Sequence, residues 1–336
     1  MRLAALVEGP THVCCRYRVA AFREAFNAAG YSLDLHCLPA QWWSRLALIR
    51  RLRSAQIVLL QRKLLQAWQL RLLRRCSRTL IFDFDDAVFL RDSYSKKAMF
   101  SARRKRRFEA TIKAADVIVS GNDYLASAAL EYAGMDKVYC IPTCVDVDKY
   151  PMARHENASD GVVLVWIGSA STLKGMELLR PVLEETGRRH PGLILRLVCD
   201  RFFPMQNMQV QKLLWSPIAE AEDLAASDIG LSWLPDDDWS RGKCGLKVLQ
   251  YMAAGLPVVA NPVGTQAELV RHGETGFLAS TAEEWTRALL QLTLDAQLRR
   301  RMGHQGRQYV QKHFSVTVGT MGWQAVLSRV RGRRAA

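Results

Sequence analysis

Short apolar runs alternate with segments of helical period along almost the whole chain, and this alternation limits the folds that the sequence can adopt. In the first half the apolar runs lie at residues 3–7, 32–36, 57–60, 79–82, 117–120 and 138–141. Buried runs of this length separated by helices are typical of parallel sheets that are covered by helices on both faces. The sequence therefore predicts an α/β fold.

The alternation stops between residues 142 and 161, where the chain is polar and rich in turn residues, and it restarts with an apolar run at 162–168. We place the domain boundary in this segment, with an N-terminal domain over 1–150 and a C-terminal domain over 151–315. A last helical segment, 316–336, is a candidate to pack back on the N-terminal domain. Two doubly wound sheets joined by one linker would face each other across a cleft, and such sheets bind ligands at the carboxyl ends of their strands.

The charge of the chain is large and uneven. The 336 residues carry a formal net charge of +15; residues 1–155 hold 26 basic and 14 acidic side chains, and residues 156–336 hold 21 and 18. Such an excess usually marks nucleic acid, an anionic membrane or an acidic substrate. The sequence has no motif of a nucleic-acid-binding module, and its aromatic and basic residues do not interleave as a stacking platform requires, so nucleic acid is not an expected partner.

Two basic stretches carry the excess in the N-terminal half. Ten basic residues and no Asp or Glu lie between Leu35 and Phe82; apolar stripes that include Trp42 and Trp68 run along two helices there, and they could lie at a lipid interface or simply pack on the sheet. Five consecutive basic residues, 103–107, cannot share one helix face at about 100° per residue, so some must point at a partner. The residues that we assign to the acceptor or membrane side are Arg16, Arg18, Arg103, Arg104, Arg106 and Arg107.

The eight cysteines form no Cys-x-x-Cys pair and no Cys/His cluster with the spacing of zinc ligands, so we expect reduced thiols and no metal site. No stretch is long and apolar enough for a signal peptide or for the roughly 20 residues of a membrane span. We therefore expect a cytoplasmic protein whose contact with a membrane would be peripheral, on the inner face of the cytoplasmic membrane.

Two segments of the C-terminal domain could bind a phosphate. The turn from Gly168 to Gly175 joins a strand to a helix; its small residues let the backbone approach an anion, and Lys174 adds a positive charge. An ordinary strand-to-helix turn with a surface lysine would have the same sequence, so both interpretations stay open. In the second segment Lys247 and Gln250 share one helix face, and Lys247 in the first turn is unfavourable unless an anion compensates it.

These segments resemble the donor domain of the family 4 (group 1) glycosyltransferases. The resemblance rests on Lys247-x-x-Gln250-Tyr-Met-Ala-Ala-Gly-x-Pro-Val-Val with Val263-Gly264 and Glu268, on Asp228-Ile-Gly230, and on Gly168 with Lys174-Gly175. In the first half Asp83-Phe84-Asp85-Asp86 and Gly121-Asn122-Asp123 look like a bacterial branch of that family. The resemblance implies two Rossmann-like domains facing across a cleft (the GT-B fold) and transfer from a nucleotide-sugar donor with retention of configuration and without a required metal.

One feature of the family is missing from this chain. The usual donor-site pair is Glu, seven residues, Glu, and the matching positions here are Gly242 and Gln250, which suggests a variant branch. Lys247 is similar to a lysine that approaches the diphosphate in variant members, and Gln250 is a candidate to bind a sugar or ribose hydroxyl. The resemblance implies that the donor-binding residues are Gly168, Ser169, Lys174, Lys247, Gln250, Gly264 and Glu268.

The only acidic cluster at a cleft-facing strand end of the first domain is Asp83, Asp85 and Asp86. These residues could contact the acceptor and help as a base, cap a turn, or bind a metal; the metal ranks last because no His or further carboxylate lies nearby in sequence. Strand alternation would put Asp83 and Asp85 on one side. These two are therefore our candidates for catalytic residues on the acceptor side.

The function expected from these observations is that of a retaining glycosyltransferase. It would move a sugar from a nucleotide-sugar to a glycan or lipid-linked acceptor in bacterial cell-surface polysaccharide synthesis, with an anionic membrane surface as a further partner and no cofactor. Two alternatives remain open: a nucleotide-sugar epimerase of the same fold, and a non-catalytic protein that binds a sugar or a partner, which the missing Glu pair makes plausible.

Overall fold

The computed structural model describes residues 1–155 and 161–335; residues 156–160, within the expected linker segment, and residue 336 lie outside the described residues. The chain forms two compact units. Unit 1 comprises Met1–Cys144, Asp237–Cys244 and Val316–Ala336, and unit 2 comprises Val145–Asp236 and Gly245–Ser315. The first change of unit thus comes after residue 144, where the sequence analysis has it after residue 150, and the C-terminal helix belongs to unit 1.

The segment Asp237–Cys244 also belongs to unit 1, although the sequence analysis assigns it to the second domain. Two hydrogen bonds hold it there: the side-chain amide of Asn122 donates to the carbonyl of Lys243 (3.1 Å), and the thiol of Cys244 donates to the carbonyl of Asp85 (3.3 Å). The alternation of strand and helix segments in a sequence does not predict such long-range contacts.

Unit 1 is built on a six-stranded parallel sheet of order β2-β1-β3-β4-β5-β6. Its strands are β1 Arg2–Val7, β2 Ser32–Cys37, β3 Ile57–Gln61, β4 Thr79–Phe84, β5 Val117–Ser120 and β6 Val138–Cys140. Its helices are α1 Val13–Arg18, α2 Arg23–Ala28, α3 Trp42–Arg51, α4 Ala67–Cys76, α5 Ala102–Ala114, α6 Asp123–Leu130, α9 Asp238–Arg241 and α14 Val316–Ala335. Strand β4 extends to Phe84, two residues beyond the predicted run, so Asp83 lies within the strand and Asp85 beyond it.

Helices cover both faces of this sheet, as the sequence predicts. On one face α3, α4, α5 and α6 bury apolar side chains such as Ile49, Leu73 and Phe108. On the other face α1, α2 and α14 form a second core, in which the ring of Trp323 lies 5.1 Å from that of Phe26. The C-terminal helix therefore completes the core of unit 1.

Unit 2 is built on a second six-stranded parallel sheet, of order β12-β11-β10-β7-β8-β9. Its strands are β7 Val162–Ile167, β8 Leu193–Val198, β9 Gln209–Leu213, β10 Ile229–Ser232, β11 Val258–Ala260 and β12 Gly276–Leu278. Its helices are α7 Ala170–Arg189, α8 Glu220–Ala225, α10 Leu246–Ala253, α11 Thr265–Leu269, α12 Ala282–Leu294 and α13 Ala296–His313. The short strand β12 is absent from the sequence prediction.

No helix within residues 1–155 and 161–335 is both long enough and apolar enough to cross a bilayer.

The role of α14 in unit 1 can be tested by truncating one of its side chains. Trp323 is fully buried, whereas Met321 on the same helix is exposed. We expect Trp323→Ala to lower the free energy of unfolding by about 3–5 kcal/mol, because it leaves a cavity in the core. Met321→Ala should change it by less than about 0.5 kcal/mol. Urea unfolding of both variants measures the difference, and equal losses would contradict this account of the core.

Candidate functional site

In unit 2 the turn between β7 and α7 requires a glycine. A Cβ on Gly168 would lie 2.5 Å from the indole of Trp166, so no side chain fits at this position. The next residue, Ser169, forms a capping box with Thr172 at the start of α7. The Ser169 hydroxyl accepts from the backbone amide of Thr172, and the Thr172 hydroxyl accepts from the backbone amide of Ser169 (3.3 Å). Lys174 lies exposed one turn further along α7. The turn predicted from the sequence is thus present, with its backbone against Trp166.

Lys247 meets the same indole from a different element. Its Nζ lies 4.5 Å from the ring centroid of Trp166, within the range of a cation–π contact. Helix α10 begins after Gly245, which has a left-handed backbone (φ 67°) and gives the helix no side-chain cap. The two segments that the sequence analysis singled out, Gly168 and Lys247, therefore converge on Trp166.

Tyr251 holds α10 against the ends of β7 and β10 through hydrogen bonds. It was not among the predicted site residues. Its buried hydroxyl donates to the carbonyl of Leu231 in β10 (3.1 Å) and accepts from the amide of Ile167 at the end of β7 (3.0 Å). Burial raises the pKa of the phenol well above its usual value, so the hydroxyl keeps its proton. Close packing of the Tyr251 ring on Gly230 leaves no room for a Cβ there. The position of Tyr251 directly after Gln250 in the motif is the sequence signal that could have identified it.

Gln250 lies in the interior, which corrects the expectation that it binds a sugar or ribose. Its side chain is 4% exposed, and its amide donates to the hydroxyl of Tyr150 at 3.1 Å. Gly242, at the other position of the family's Glu pair, belongs to unit 1, where a Cβ would lie 2.7 Å from that of Ala87. The first position thus has no space for a carboxylate, and the second has an amide used in packing.

A carboxylate of the chain itself lies at the N-terminus of α7. Asp200, which follows β8, accepts a hydrogen bond from the amide of Ala170 (2.8 Å). Hydrogen bonds from Cys199 and Ala170 lower its pKa. Asp200 was not among the site residues predicted from the sequence, although an acid directly after a strand next to β7 is a usable signal. Part of the positive end of α7 is therefore compensated by a carboxylate of the chain itself.

The ends of β10 and β11 are joined by a buried polar network. The hydroxyl of Ser232 donates to the Gln266 amide, and that amide donates to the backbone oxygen of Asn261 (3.0 Å). Asn261 in turn accepts from the amide of Leu234 (2.9 Å). None of these residues was predicted. The network fixes the turn before α11, where Gly264 has a positive φ of 53°. Glu268 is exposed within α11 itself.

In unit 1 the predicted catalytic residue Asp83 is buried with a guanidinium. Asp83 is 0% exposed and pairs with Arg18, which also donates to the carbonyl of Ile141. Burial raises the pKa of Asp83, and Arg18 opposes this shift. A carboxylate enclosed in this way does not contact a substrate. The placement therefore corrects both expectations: Asp83 as a catalytic residue and Arg18 as a residue of the acceptor or membrane side.

The two following aspartates are also paired with cations of unit 1. Arg62 contacts Asp85 at 3.3 Å and also Asp86, while Lys243 contacts Asp86 at 3.3 Å. Burial alone would raise the pKa of Asp86, but Lys243 and Arg62 hold it below its usual value. Arg62 has a left-handed backbone (φ 57°), a strained conformation for a residue with a side chain. Asp85 remains half-buried at this cluster.

The remaining predicted residues are surface or rim positions of unit 1. Arg16 is half-buried, with its guanidinium 5.3 Å from the Tyr17 ring centroid. On α5 the exposed arginines are Arg103, Arg104 and Arg106, and Arg107 is half-buried. Within residues 1–155 and 161–335 no group of three or more His, Cys, Asp or Glu side chains could hold a metal ion.

Comparisons with known proteins agree with this architecture. The family model described as "Glycosyl transferases group 1" matches residues 161–295, which include the Gly168 turn and α10. This stretch of the chain is therefore similar to the group 1 glycosyl transferases. A sucrose-phosphate synthase from Thermosynechococcus elongatus superposes on this chain with a TM-score of 0.76 at 15% identity, covering 99% of both chains. The Anabaena protein HepE, solved with UDP-glucose, gives a TM-score of 0.68 at 14% identity and covers 98% of this chain and all of its own. At such identities the likeness shows the fold.

Curated relatives match parts of this sequence. An N-acetyl-alpha-D-glucosaminyl L-malate synthase from Bacillus anthracis is 34% identical over 96 residues, which is 28% of this chain and 24% of that protein. The spore coat protein SA of Bacillus subtilis is 20% identical over 276 residues, or 72% of this chain and 70% of its own length. The first match thus spans about a quarter of the relative's length.

The buried pair in unit 1 predicts a large loss of stability on mutation. Asp83→Asn leaves the Arg18 guanidinium buried without a counter-charge, and we expect a loss of about 3–5 kcal/mol. Asp34→Asn, in the half-buried pair with Arg2, should cost less, about 1 kcal/mol. The double variant Arg18→Met, Asp83→Leu should recover most of the loss, since it removes both charges. Urea unfolding checks the series, and a double variant less stable than Asp83→Asn would refute it.

Proposed function

We propose that this protein is a retaining glycosyltransferase that moves a sugar from a nucleotide-sugar donor to a glycan or lipid-linked acceptor, without a metal cofactor. Its product would belong to a bacterial cell-surface polysaccharide, made at the inner face of the cytoplasmic membrane. The observation that carries the proposal is the convergence of Lys247 and the Gly168 turn on Trp166 in unit 2.

The chemistry of this position suits a nucleoside diphosphate. The leaving group of glycosyl transfer gains negative charge as the anomeric bond breaks, so a fixed cation stabilises the transition state more than the ground state. Lys247 lies on the first turn of α10, and the positive end of that helix dipole adds to its field. Trp166 restricts the position of the ammonium group. Lys174, exposed on α7, is the second cation that we assign to the diphosphate.

The names of similar proteins support a nucleotide-sugar as the donor class. HepE was solved with UDP-glucose, and a pneumococcal O-GlcNAc transferase of similar fold was solved with UDP and GlcNAc. A matching relative from Dictyostelium discoideum is a GDP-Man:Man(3)GlcNAc(2)-PP-Dol alpha-1,2-mannosyltransferase. A diphosphate is common to these donors, and Lys247 with Lys174 would bind this common part.

Unit 1 is the unit to which we assign the acceptor. Its sheet carries the cluster of Asp85, Asp86, Arg62 and Lys243 beyond β3 and β4. Because Asp83 is enclosed by Arg18, Asp85 is the remaining candidate of the predicted pair for contact with an acceptor hydroxyl. The basic surface of unit 1 favours an acceptor that is anionic or lies at an anionic surface.

The donor site can be tested with nucleotides alone. We expect UDP or GDP to raise the melting temperature of the wild type, equally with and without EDTA, because bound ligand stabilises the folded state. Lys247→Met should weaken nucleotide binding about tenfold or more, since a hydrogen bond to a charged group contributes about 1.5–3 kcal/mol. Lys212→Met, an exposed lysine on β9, is the matched control.

Three results would count against the proposal. A full nucleotide shift in Lys247→Met would remove the assigned diphosphate site, and loss of the wild-type shift in EDTA would contradict metal independence. Conversion of a nucleotide-sugar to its epimer with no acceptor present would favour the epimerase alternative over glycosyl transfer.

A further inference from the structure

Four exposed aromatic side chains lie at the N-terminal ends of three neighbouring helices of unit 1. Trp42 and Trp43 begin α3, Trp68 is the second residue of α4, and Phe100 lies two residues before α5. They are 56%, 55%, 40% and 58% exposed, respectively, and they are the exposed Trp and Phe side chains of the described residues. Their concentration in one place distinguishes them from singly scattered surface apolar residues.

The fold brings these helix ends to one edge of the sheet. Helices α3 and α4 follow β2 and β3 within six residues, so both begin at the carboxyl ends of parallel strands. Helix α3 packs on α4 and α4 on α5, and the guanidinium of Arg107 in α5 reaches the carbonyl of Leu64 just before α4 (3.5 Å). The ring of Trp42 lies 5.7 Å from that of Trp43 and 6.4 Å from that of Trp68, so the three indoles form one cluster.

The charge at this edge is positive and is not compensated by acids in the first turns of the three helices. None of the three helices has an acidic residue in its first turn, where an acid would be favourable. Helix α5 carries basic residues at 103–107, of which 103–106 are exposed. Burial and repulsion from Arg103 lower the pKa of Arg107. An anionic partner would relieve this accumulation of positive helix ends and basic side chains.

We propose that the helix ends carrying Trp42, Trp43, Trp68 and Phe100, with Arg103 and Arg106, dock unit 1 on an anionic lipid bilayer. Tryptophan rings are favoured at the level of lipid headgroups, and exposed helix N-termini and arginines suit lipid phosphates. The indoles contact one another edge to face, at interplanar angles of 78° and 83°. They therefore form one apolar surface cluster, whereas stacking of a sugar requires a single ring with a free face. This inference rests on the proposed function and names the surface through which the enzyme meets the membrane.

Cosedimentation with vesicles tests the surface. We expect the wild type to bind vesicles containing phosphatidylglycerol and not vesicles of phosphatidylcholine alone, with binding reduced by salt. The variants Trp43→Ser/Phe100→Ser and Arg103→Glu/Arg106→Glu should each bind about tenfold more weakly or worse. Matched controls lie in unit 2: Leu178→Ser, an exposed apolar residue, and Arg301→Glu/Lys312→Glu, with the same change of charge on α13.

Every outcome decides the inference. Equal binding to both kinds of vesicle, or test variants that bind like their controls, would overturn it. So would variants that bind vesicles normally but lose binding to a soluble anionic polysaccharide, since the surface would then be a glycan platform. The rise in melting temperature with UDP or GDP, measured without vesicles, reports on the donor site alone. A failed vesicle assay beside an intact nucleotide shift would leave the proposed transferase standing.

Discussion

The hydroxyl of Tyr251 connects the three elements on which the candidate donor site depends. It accepts from the last residue of β7 and donates to β10, while its own helix, α10, carries Lys247. Because the Gly168 turn begins directly after that last residue of β7, the hydroxyl fixes the turn and the helix relative to each other. A buried donor or acceptor left without a partner costs about 1–3 kcal/mol, so this bond opposes any loosening of the site. Trp166 then provides the surface on which Gly168 and Lys247 meet.

In unit 1 several buried and half-buried charges are paired with opposite charges, whereas most basic residues of α5 lie at the surface. The buried guanidinium of Arg18 is neutralised by Asp83, and Arg62 lies against Asp85 and Asp86. The basic residues of α5 at 103–106 are instead exposed, where hydration stabilises their charge. The excess charge seen in the sequence is therefore an excess at the surface, and the acids of the DFDD segment mainly compensate cations of the chain itself.

Much of the fold follows from the sequence because it depends on local patterns. The apolar runs that end at residues 120 and 260 are strands, and the segment at 282–294 is a helix with a Thr281–Glu284 capping box. The glycine turn at 168 and the helix with Lys247 could also be located, since turn and helix signals lie within a few residues.

The roles of several side chains could not be predicted, because their partners are distant in sequence. Gln250 shares a helix face with Lys247 by spacing, yet its partner, Tyr150, lies 100 residues away. Asp83 pairs with Arg18 across 65 residues, and Asp200 reaches Ala170 across 30. Helical or strand period gives the direction of a side chain, and only the packed fold decides whether that direction leads to solvent or to a partner.

The most direct test of the donor-site assignment is a crystal structure of the protein with UDP or GDP, using the nucleotide that raises its melting temperature more. The account predicts a diphosphate within hydrogen-bonding distance of the Lys247 ammonium group, beside the backbone of Gly168 and Ser169. A nucleotide bound elsewhere in unit 2, with its phosphates away from the Lys247 ammonium group, would contradict it.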